Sequence, residues 1–294
     1  MIRVSSCPIC ECNSFEDFIT CKDHTVSGEI FKVVNCKSCG FKFTNPRPDS
    51  DRIGDYYKSE DYISHSNTNK GIISKLYHLV RNYTLRKKEA LVSNYVSRGT
   101  ILDFGCGTGM FLKTCQVKGW KCYGLEPDQG ARKIAEETGL KIVEEIKEAS
   151  RIIADAKLDA VTLWHVLEHV VDLESTIRFF QSILKPTGVL IIAVPNYTSV
   201  DAKQYKEYWA AYDLPRHLYH FEIGSIIKLL SGHGFKLVEC KPMKFDSFYV
   251  SMLSEKYKHG SIKYFSAFIN GLLSNLKAKE PKDYSSVIYV FKQA

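Results

Sequence analysis

The 294-residue sequence has no long uninterrupted apolar segment. Its longest apolar run near the centre, Val189 to Val194, is far shorter than the roughly 20 residues that a membrane-spanning helix needs. The first residues, Met1 to Cys7, also lack the apolar stretch of a secretory signal peptide. We therefore expect no transmembrane segment and a cytoplasmic location.

The sequence also lacks a strong excess of either charge. Its 40 basic side chains exceed its 33 acidic ones by 7, a small excess for a chain that grips nucleic acid along an extended surface. Residues 1–98 have 15 basic and 11 acidic side chains, residues 99–240 have 16 and 18, and residues 241–294 have 9 and 4. Both ends are therefore basic. The 45% hydrophobic content is enough for a packed core and argues against disorder.

Cysteine is concentrated at the N-terminus, where six of the ten cysteines fall within the first forty residues. In a reducing compartment such a cluster favours metal binding over disulfides. Two Cys-x-x-Cys pairs have the spacing that places four thiolates on one ion: Cys7, Cys10, Cys36 and Cys39. Four thiolates leave no open coordination position, so we expect structural Zn²⁺ in a zinc ribbon of residues 1–50. The alternative ligands in this segment are Cys12, Cys21 and His24.

Two prolines, Pro46 and Pro48, interrupt regular structure and predict a domain boundary near residue 50. Residues 51–98 have a helical, tyrosine-rich pattern and are predicted to form a helical linker or lid. Residues 99–294 are the third predicted unit, with a helical insertion at about 245–284 before the last strand.

A glycine-rich loop follows the first strand of this third unit. Thr100 to Phe104 is a short apolar strand, and residues 110–117 after the loop have helical spacing. Glycines let the backbone approach a ligand closely, and the helix start offers N–H groups to an anion. A second strand, Lys121 to Leu125, ends at Glu126, an acid that can accept hydrogen bonds from a ribose diol. Together these features indicate an adenosine-containing ligand.

The string from Leu102 to Gly109, Leu-Asp-Phe-Gly-Cys-Gly-Thr-Gly, resembles motif I of the class I S-adenosylmethionine (SAM) dependent methyltransferases. Gly124 to Asp128 resembles their ribose-binding motif. The resemblance implies that the loop holds the methionine part of SAM and that the acid holds the ribose. The cofactor-binding residues that it implies are Asp103, Gly105, Gly107, Gly109 and Glu126. A dinucleotide fingerprint needs its third glycine at position 110, where this chain has Met110, so NAD is disfavoured.

Strands and helices alternate through the rest of the chain. This predicts an α/β, Rossmann-like fold with a mostly parallel seven-stranded sheet and helices on both faces. We expect Ser285 to Phe291 to be the last strand, on the edge side of the sheet. Ligands bind at the carboxyl ends of such strands, where Trp164, His165 and His169 follow one of them. We predict Trp164 and His165 to be on the cofactor side; His169 is either a site residue or a structural histidine.

An unusually long connection, Asn196 to Phe221, follows the fifth strand. Loops of this length in a compact domain are usually functional. This one places Tyr212, Arg216 and His217 among aromatic residues. We predict that His217 removes a proton from the acceptor and that Arg216 or Tyr212 binds the acceptor. The alternative is an aromatic plug over the sheet in which the histidines are merely hydrogen-bonded.

The cysteine spacing, the glycine loop, the His-Val-Leu-Glu-His element and the Pro-Arg-His-Leu-Tyr-His element together resemble one group of bacterial methyltransferases. Some zinc-containing members are sugar C-methyltransferases that act on nucleotide-linked deoxysugars. The resemblance places His217 at their base position and His169 at a second site histidine, whereas Arg216 stands where they have Glu. It implies methyl transfer to a small polar acceptor, a nucleotide-linked sugar or glycan precursor of carbohydrate biosynthesis.

Two other functions stay open at this point. One is an RNA methyltransferase with an RNA-binding zinc ribbon, although basic residues are not gathered in one dense patch. The other is a non-catalytic partner protein that binds zinc and SAM. The apolar, basic-flanked helix predicted at 262–277 is a lid, an oligomer face or a helix that lies on an anionic membrane surface.

Overall fold

The computed structural model describes residues 1–49, 51–58, 72–153 and 157–294 of the protein. In chain order, the strands are β1 (Phe15–Lys22), β2 (Ile30–Cys36), β3 (Lys42–Thr44), β4 (Thr100–Phe104), β5 (Lys121–Leu125), β6 (Lys141–Val143), β7 (Leu158–Trp164), β8 (Leu184–Pro195), β9 (Tyr219–His220), β10 (Phe235–Pro242) and β11 (Ser286–Gln293). The helices are α1 (Ile72–Ser93), α2 (Met110–Val117), α3 (Gln129–Glu137), α4 (Ile146–Ile153), α5 (Leu173–Ile183), α6 (Val200–Tyr205), α7 (Ile223–Ser231), α8 (Asp246–His259) and α9 (Tyr264–Lys277).

The larger sheet has seven strands in the order β10-β11-β8-β7-β4-β5-β6. Neighbouring strands pair in parallel along the series β8-β7-β4-β5-β6, and β11 is antiparallel to both of its neighbours, β8 and β10. The predicted Rossmann-like fold with a mostly parallel seven-stranded sheet is thereby confirmed. The carboxyl ends of β4, β5, β7 and β8 meet at one edge, where the glycine loop and the long connection begin.

The position of the last strand differs from our expectation. β11 lies between β8 and β10, so β10 takes the edge. Ser286 to Phe291 of β11 are all buried, whereas only the first residue of β10 is. A strand that is buried on both faces needs a neighbouring strand on each side, because water cannot reach its backbone N–H and C=O groups. The half-exposed β10 can leave the backbone groups of one edge to water.

A second sheet of four strands, in the order β1-β2-β3-β9, joins the N-terminal segment to the long connection. In its β3–β9 pair, Phe43 lies opposite Tyr219 and Lys42 opposite His220. Phe41 also stacks on Tyr219, with the ring centroids 5.9 Å apart. Backbone pairing and aromatic packing therefore cross the predicted boundary near residue 50.

The predicted helical segment 51–98 contains a short 3-10 helix, Ile53–Tyr57, and α1; its residues 59–71 lie outside the described part of the chain. The insertion predicted at about 245–284 contains α8 and α9. Within the described ranges, no helix combines the length and the apolar character needed to cross a membrane.

Candidate functional site

The glycine loop has one packed side and one open side. Gly105 and Gly107 have positive φ angles of 74° and 53°, which side-chain-bearing residues rarely adopt. A Cβ on Gly105 would lie 2.5 Å from the side chain of Val166, so this glycine packs against the segment after β7. A Cβ on Gly107 would meet no atom within 4 Å. The loop therefore leaves room for a ligand at Gly107.

Glu126 faces this open part of the loop. Its Oε2 accepts a hydrogen bond of 2.7 Å from the backbone N–H of Gly107, and its Oε1 accepts one of 2.9 Å from Asp128. Burial raises the pKa of Glu126. Because each carboxylate oxygen can accept a second hydrogen bond, Glu126 can also hold a diol placed above Gly107.

The other predicted cofactor residues border the loop from β4 and β7. Asp103 is buried and accepts a 2.6 Å hydrogen bond from the hydroxyl of Thr162, and burial raises its pKa to about 7. Nζ of Lys88 lies over the ring of Trp164, 4.3 Å from the ring centroid. The indole N–H of Trp164 is buried and has no hydrogen-bond partner among the described residues.

His165 is held by two carboxylates. It has a left-handed φ of 61°, and its Nε2 lies 2.9 Å from Oδ2 of Asp246 at the start of α8. Burial by itself lowers the pKa of His165, but Asp246 and Glu168 outweigh burial and raise the pKa to about 9. His165 is therefore an imidazolium at neutral pH. The pattern of the sequence did not single out Asp246, because it lies far along the chain from His165.

Glu168 and His169, which follow β7, converge with His217 of the long connection. We call these three side chains the Glu-His cluster. One potential ligand atom from each lies within 4.8 Å of the others. The rings of His169 and His217 meet edge to face, with centroids 4.5 Å apart. Glu168 is only 1% exposed, and neither of its oxygens has a hydrogen-bond partner among the described residues. Its nearest basic atom is Nδ1 of His165, at 3.6 Å.

Backbone carbonyls orient both histidines in the cluster. Nδ1 of His217 lies 2.9 Å from the carbonyl oxygen of Ala211, and Nδ1 of His169 lies 3.0 Å from that of Arg216. A carbonyl only accepts, so Nδ1 of each ring donates there, and in a neutral His217 the lone pair is on Nε2. Burial and the neighbouring His169 lower the pKa of His217 to about 4, so His217 is neutral at neutral pH.

Tyr57 also contacts the cluster, since its hydroxyl lies 2.9 Å from Nδ1 of His169. Sequence reasoning missed Tyr57 as a member of the site, because it is one of many tyrosines in its segment.

Tyr212 is buried, with its ring 5.6 Å from that of His220. It lines a small pocket together with His24, Trp209 and Tyr257.

Arg216 is held by acidic partners. Its guanidinium is buried and pairs with two carboxylates, at 2.6 Å from Oδ1 of Asp213 and 3.1 Å from Oδ1 of Asp23. It also donates to the carbonyl of Tyr56. These partners engage most of its donors and tie the long connection to the N-terminal unit. A contact between Arg216 and the acceptor stays a prediction.

The four predicted zinc ligands come together. Sγ of Cys7 lies 3.5 Å from Sγ of Cys39, and the same distance separates Cys10 from Cys36. All four sulfurs lie within 4.8 Å of one another, a separation that suits four thiolates on one tetrahedral ion. The alternative ligands have other contacts. Sγ of Cys12 accepts a hydrogen bond from the backbone N–H of Ser14, Cys21 is in a buried apolar cluster, and His24 stacks on Tyr257.

Comparison with known proteins decides the class. Residues 77–240, more than half of the chain, match the family described as "Methyltransferase domain". The chain belongs to this methyltransferase family. The protein is a SAM-dependent methyltransferase, and the open glycine loop and the acid beside it fit that cofactor.

Two relatives of this methyltransferase are the ubiquinone biosynthesis O-methyltransferases of Actinobacillus pleuropneumoniae serotype 7 and Haemophilus ducreyi. Each is 32% identical over 173 residues, which is 53% of this chain and 72% or 71% of the relative. These names do not support the expected sugar-linked acceptor or a part in carbohydrate biosynthesis.

A solved structure shows the same fold. Magnesium protoporphyrin IX methyltransferase from Synechocystis PCC 6803, crystallised with bound S-adenosylhomocysteine (SAH), aligns with a TM-score of 0.54. The alignment covers 84% of this chain and all of that one at 15% sequence identity. At this identity the similarity concerns the fold alone.

Proposed function

We propose that this methyltransferase transfers the methyl group of SAM to a hydroxyl oxygen of a small-molecule acceptor, and that the Glu-His cluster takes the hydroxyl proton. The observation that supports this most is the convergence of His217, whose Nδ1 lies against a backbone carbonyl, with the buried carboxylate of Glu168, which also faces His165 at 3.6 Å. Both curated relatives compared above are named O-methyltransferases, which favours oxygen over carbon or nitrogen.

The cofactor would lie along the glycine loop. Glu126 would accept from the ribose hydroxyls, and Gly105, Gly107 and Gly109 would let the backbone approach the methionine part. The other residues proposed to border it are Asp103, Trp164 and His165. SAM supplies a methyl group that its sulfonium already activates, so the protein has to align the acceptor and manage one proton.

The proton would move from the acceptor hydroxyl to Nε2 of His217 as the new C–O bond forms and the C–S bond of SAM breaks, which releases SAH. The charge of Glu168 would stabilise the imidazolium that results. His169, itself oriented by Tyr57, would lie beside the same acceptor hydroxyl. Tyr212 would contribute an aromatic wall, and Arg216 would position His217 through the backbone of the long connection.

The acceptor that fits best is a hydroxylated aromatic ring. The small pocket that His217 lines has aromatic walls from Tyr197, Trp209 and Tyr219, and aromatic rings stack well on one another. The lowered pKa of His217 makes it a weak base. A weak base needs an acidic hydroxyl, and the hydroxyl of a phenol is more acidic than that of an aliphatic alcohol.

The N-terminal unit would hold one structural Zn²⁺ on Cys7, Cys10, Cys36 and Cys39. Such an ion supplies folding energy and no chemistry, because four thiolates fill its coordination sphere. We accordingly propose three units: the zinc ribbon of residues 1–50, the helical segment 51–98 and the SAM-binding domain 99–294.

The decisive experiment measures SAH release and product mass with dihydroxylated phenols, nucleotide-linked sugars and RNA as separate acceptors. We expect methylated phenol only, and His217→Asn should lower turnover by roughly 10²–10⁴ with unchanged SAM affinity. A matched control is His233→Asn, since His233 bonds to Leu229 in a distant turn. Methylated sugar or RNA as the sole product, or full turnover in the His217 variant, would contradict the proposal.

A further inference from the structure

Helix α9 packs on the protein through its small residues. Ala267, Gly271 and Ser274 are its buried residues. Gly271 lies so close to α8 that a Cβ there would be 2.8 Å from the ring of Phe248. A helix of a globular domain normally turns its large apolar residues inward and its small or polar ones outward. Helix α9 has the reverse arrangement.

The large apolar residues of α9 form a continuous stripe on the opposite face. Phe265, Phe268, Leu272 and Leu276 follow one another at spacings of three or four, so they line one side of the helix. Phe265 is 82% exposed and Leu276 is 70% exposed. An apolar stripe of this length on a folded protein marks a surface that binds something.

The apolar surface extends from α9 towards the site. Phe268 stacks on Phe248 of α8, with ring centroids 5.6 Å apart. One turn earlier, the exposed Phe245 meets the ring of Tyr83 on α1 at 6.0 Å. The next residue, Asp246, is the partner of His165. The surface therefore ends beside the residues that border the candidate site.

Lysines lie at the ends of α8 and α9, and their charge indicates the partner. They are Lys258, Lys263, Lys277 and Lys279. Of the nearby acids, Glu255 is buried and Glu280 pairs with Lys282. A second copy docked about a two-fold axis would bring the same lysines together, which is unfavourable, whereas a phosphate surface would neutralise them.

We propose that α9 is an interfacial helix that binds an anionic phospholipid bilayer. Its apolar stripe would enter the boundary of the acyl chains, and the lysines at the helix ends would contact lipid phosphates. This placement would bring the site beside α8 to the membrane surface. It does not depend on which hydroxyl is methylated.

The test is vesicle flotation of the full chain with vesicles of phosphatidylcholine alone or mixed with phosphatidylglycerol. The protein should float with the mixed vesicles, remain behind with the neutral ones, and dissociate at high salt. Phe265→Ser with Leu276→Ser should weaken binding roughly tenfold or more. The matched control is Val117→Ser with Ile30→Ser, which alters residues that are 77% and 71% exposed elsewhere and should leave binding unchanged.

Charge variants keep the test valid if the double serine variant folds poorly. Lys263→Glu with Lys277→Glu keeps the apolar stripe and should weaken binding by roughly fivefold or more for each lysine. Equal binding to neutral and anionic vesicles, or none to either, would overturn the proposal. So would sedimentation that shows a dimer which the Phe265 and Leu276 variant dissociates, because a second copy would then cover the stripe.

Discussion

Asp23, in the turn between β1 and β2, is ion-paired with Arg216 in the connection that follows β8. Nη2 of Arg216 lies 3.1 Å from Oδ1 of Asp23, and the two side chains are 2% and 0% exposed. Arg216 immediately precedes His217. Nearby, the hydroxyl of Thr44 donates a 2.6 Å hydrogen bond to the backbone oxygen of His217. The N-terminal unit thus positions the segment that carries the proposed base.

We predict that Asp23→Asn lowers both stability and turnover. Breaking a buried ion pair typically costs about 3–5 kcal/mol, and the pair with Asp213 that remains should keep the loss near the lower value. Urea unfolding and SAH release measure the two effects, with SAM affinity expected to stay unchanged. The control is Asp17→Asn, whose pair with Lys32 is exposed and should contribute less than about 1 kcal/mol. Unchanged turnover in the Asp23 variant would separate the N-terminal unit from catalysis.

Stability should depend on pH through the buried His217. Burial and His169 lower its pKa from 6.5 to about 4, against the attraction of Asp213 and Glu168. Between these two values the unfolded chain binds a proton that the folded chain does not. The free energy of unfolding should therefore fall as the pH drops from 6.5 towards 4. His217→Gln should reduce this slope in urea titrations, and an unaltered slope would contradict the burial of a neutral imidazole.

The same pKa sets the pH dependence of turnover. A base with the ordinary histidine pKa of 6.5 would lose activity below that pH, but a base with a pKa of about 4 stays unprotonated well below it. At saturating SAM, the acidic limb of turnover should lie nearer pH 4 than 6.5. A limb at the ordinary value would assign the proton transfer to another group.

Glu126→Ala should weaken SAM binding by about 1.5–3 kcal/mol, roughly tenfold to more than a hundredfold, as for hydrogen bonds to a charged group. Part of the loss would come from the N–H of Gly107, which Glu126 also holds. Calorimetry measures the affinity, and NADH should not compete. Glu144→Ala serves as the control, since Glu144 is an exposed partner of Arg132. Equal SAM affinity in the Glu126 variant would refute the assigned ribose contact.

The purified protein should contain about one zinc per chain, because four thiolates bind one ion. Cys36→Ser should lose the metal, and Cys12→Ser should retain it. Because β3 pairs with β9, loss of the metal should also lower turnover while SAM still binds. Metal analysis, calorimetry with SAM and SAH release check these statements. A zinc-free Cys36 variant with full turnover would show that the two sheets are uncoupled functionally.

Local spacing in the sequence determined the class of this protein. A strand, a glycine loop, a helix and an acid after the next strand are contiguous in the chain, so their pattern is visible without any tertiary contact. The alternation of strands and helices likewise predicted the Rossmann-like sheet, which the structure confirms. The zinc spacing is local in the same sense, and the structure brings Cys7, Cys10, Cys36 and Cys39 together as that spacing requires.

Only the tertiary structure decided how distant segments meet. Tyr57 reaches His169 across 112 residues, and Arg216 is paired with Asp23 across 193. Strand order placed β11 inside the sheet, and packing through Gly271 turned the apolar stripe of α9 outward. A local pattern specifies which residues share a face of an element. Which face is covered, and by what, depends on the packing of the whole chain.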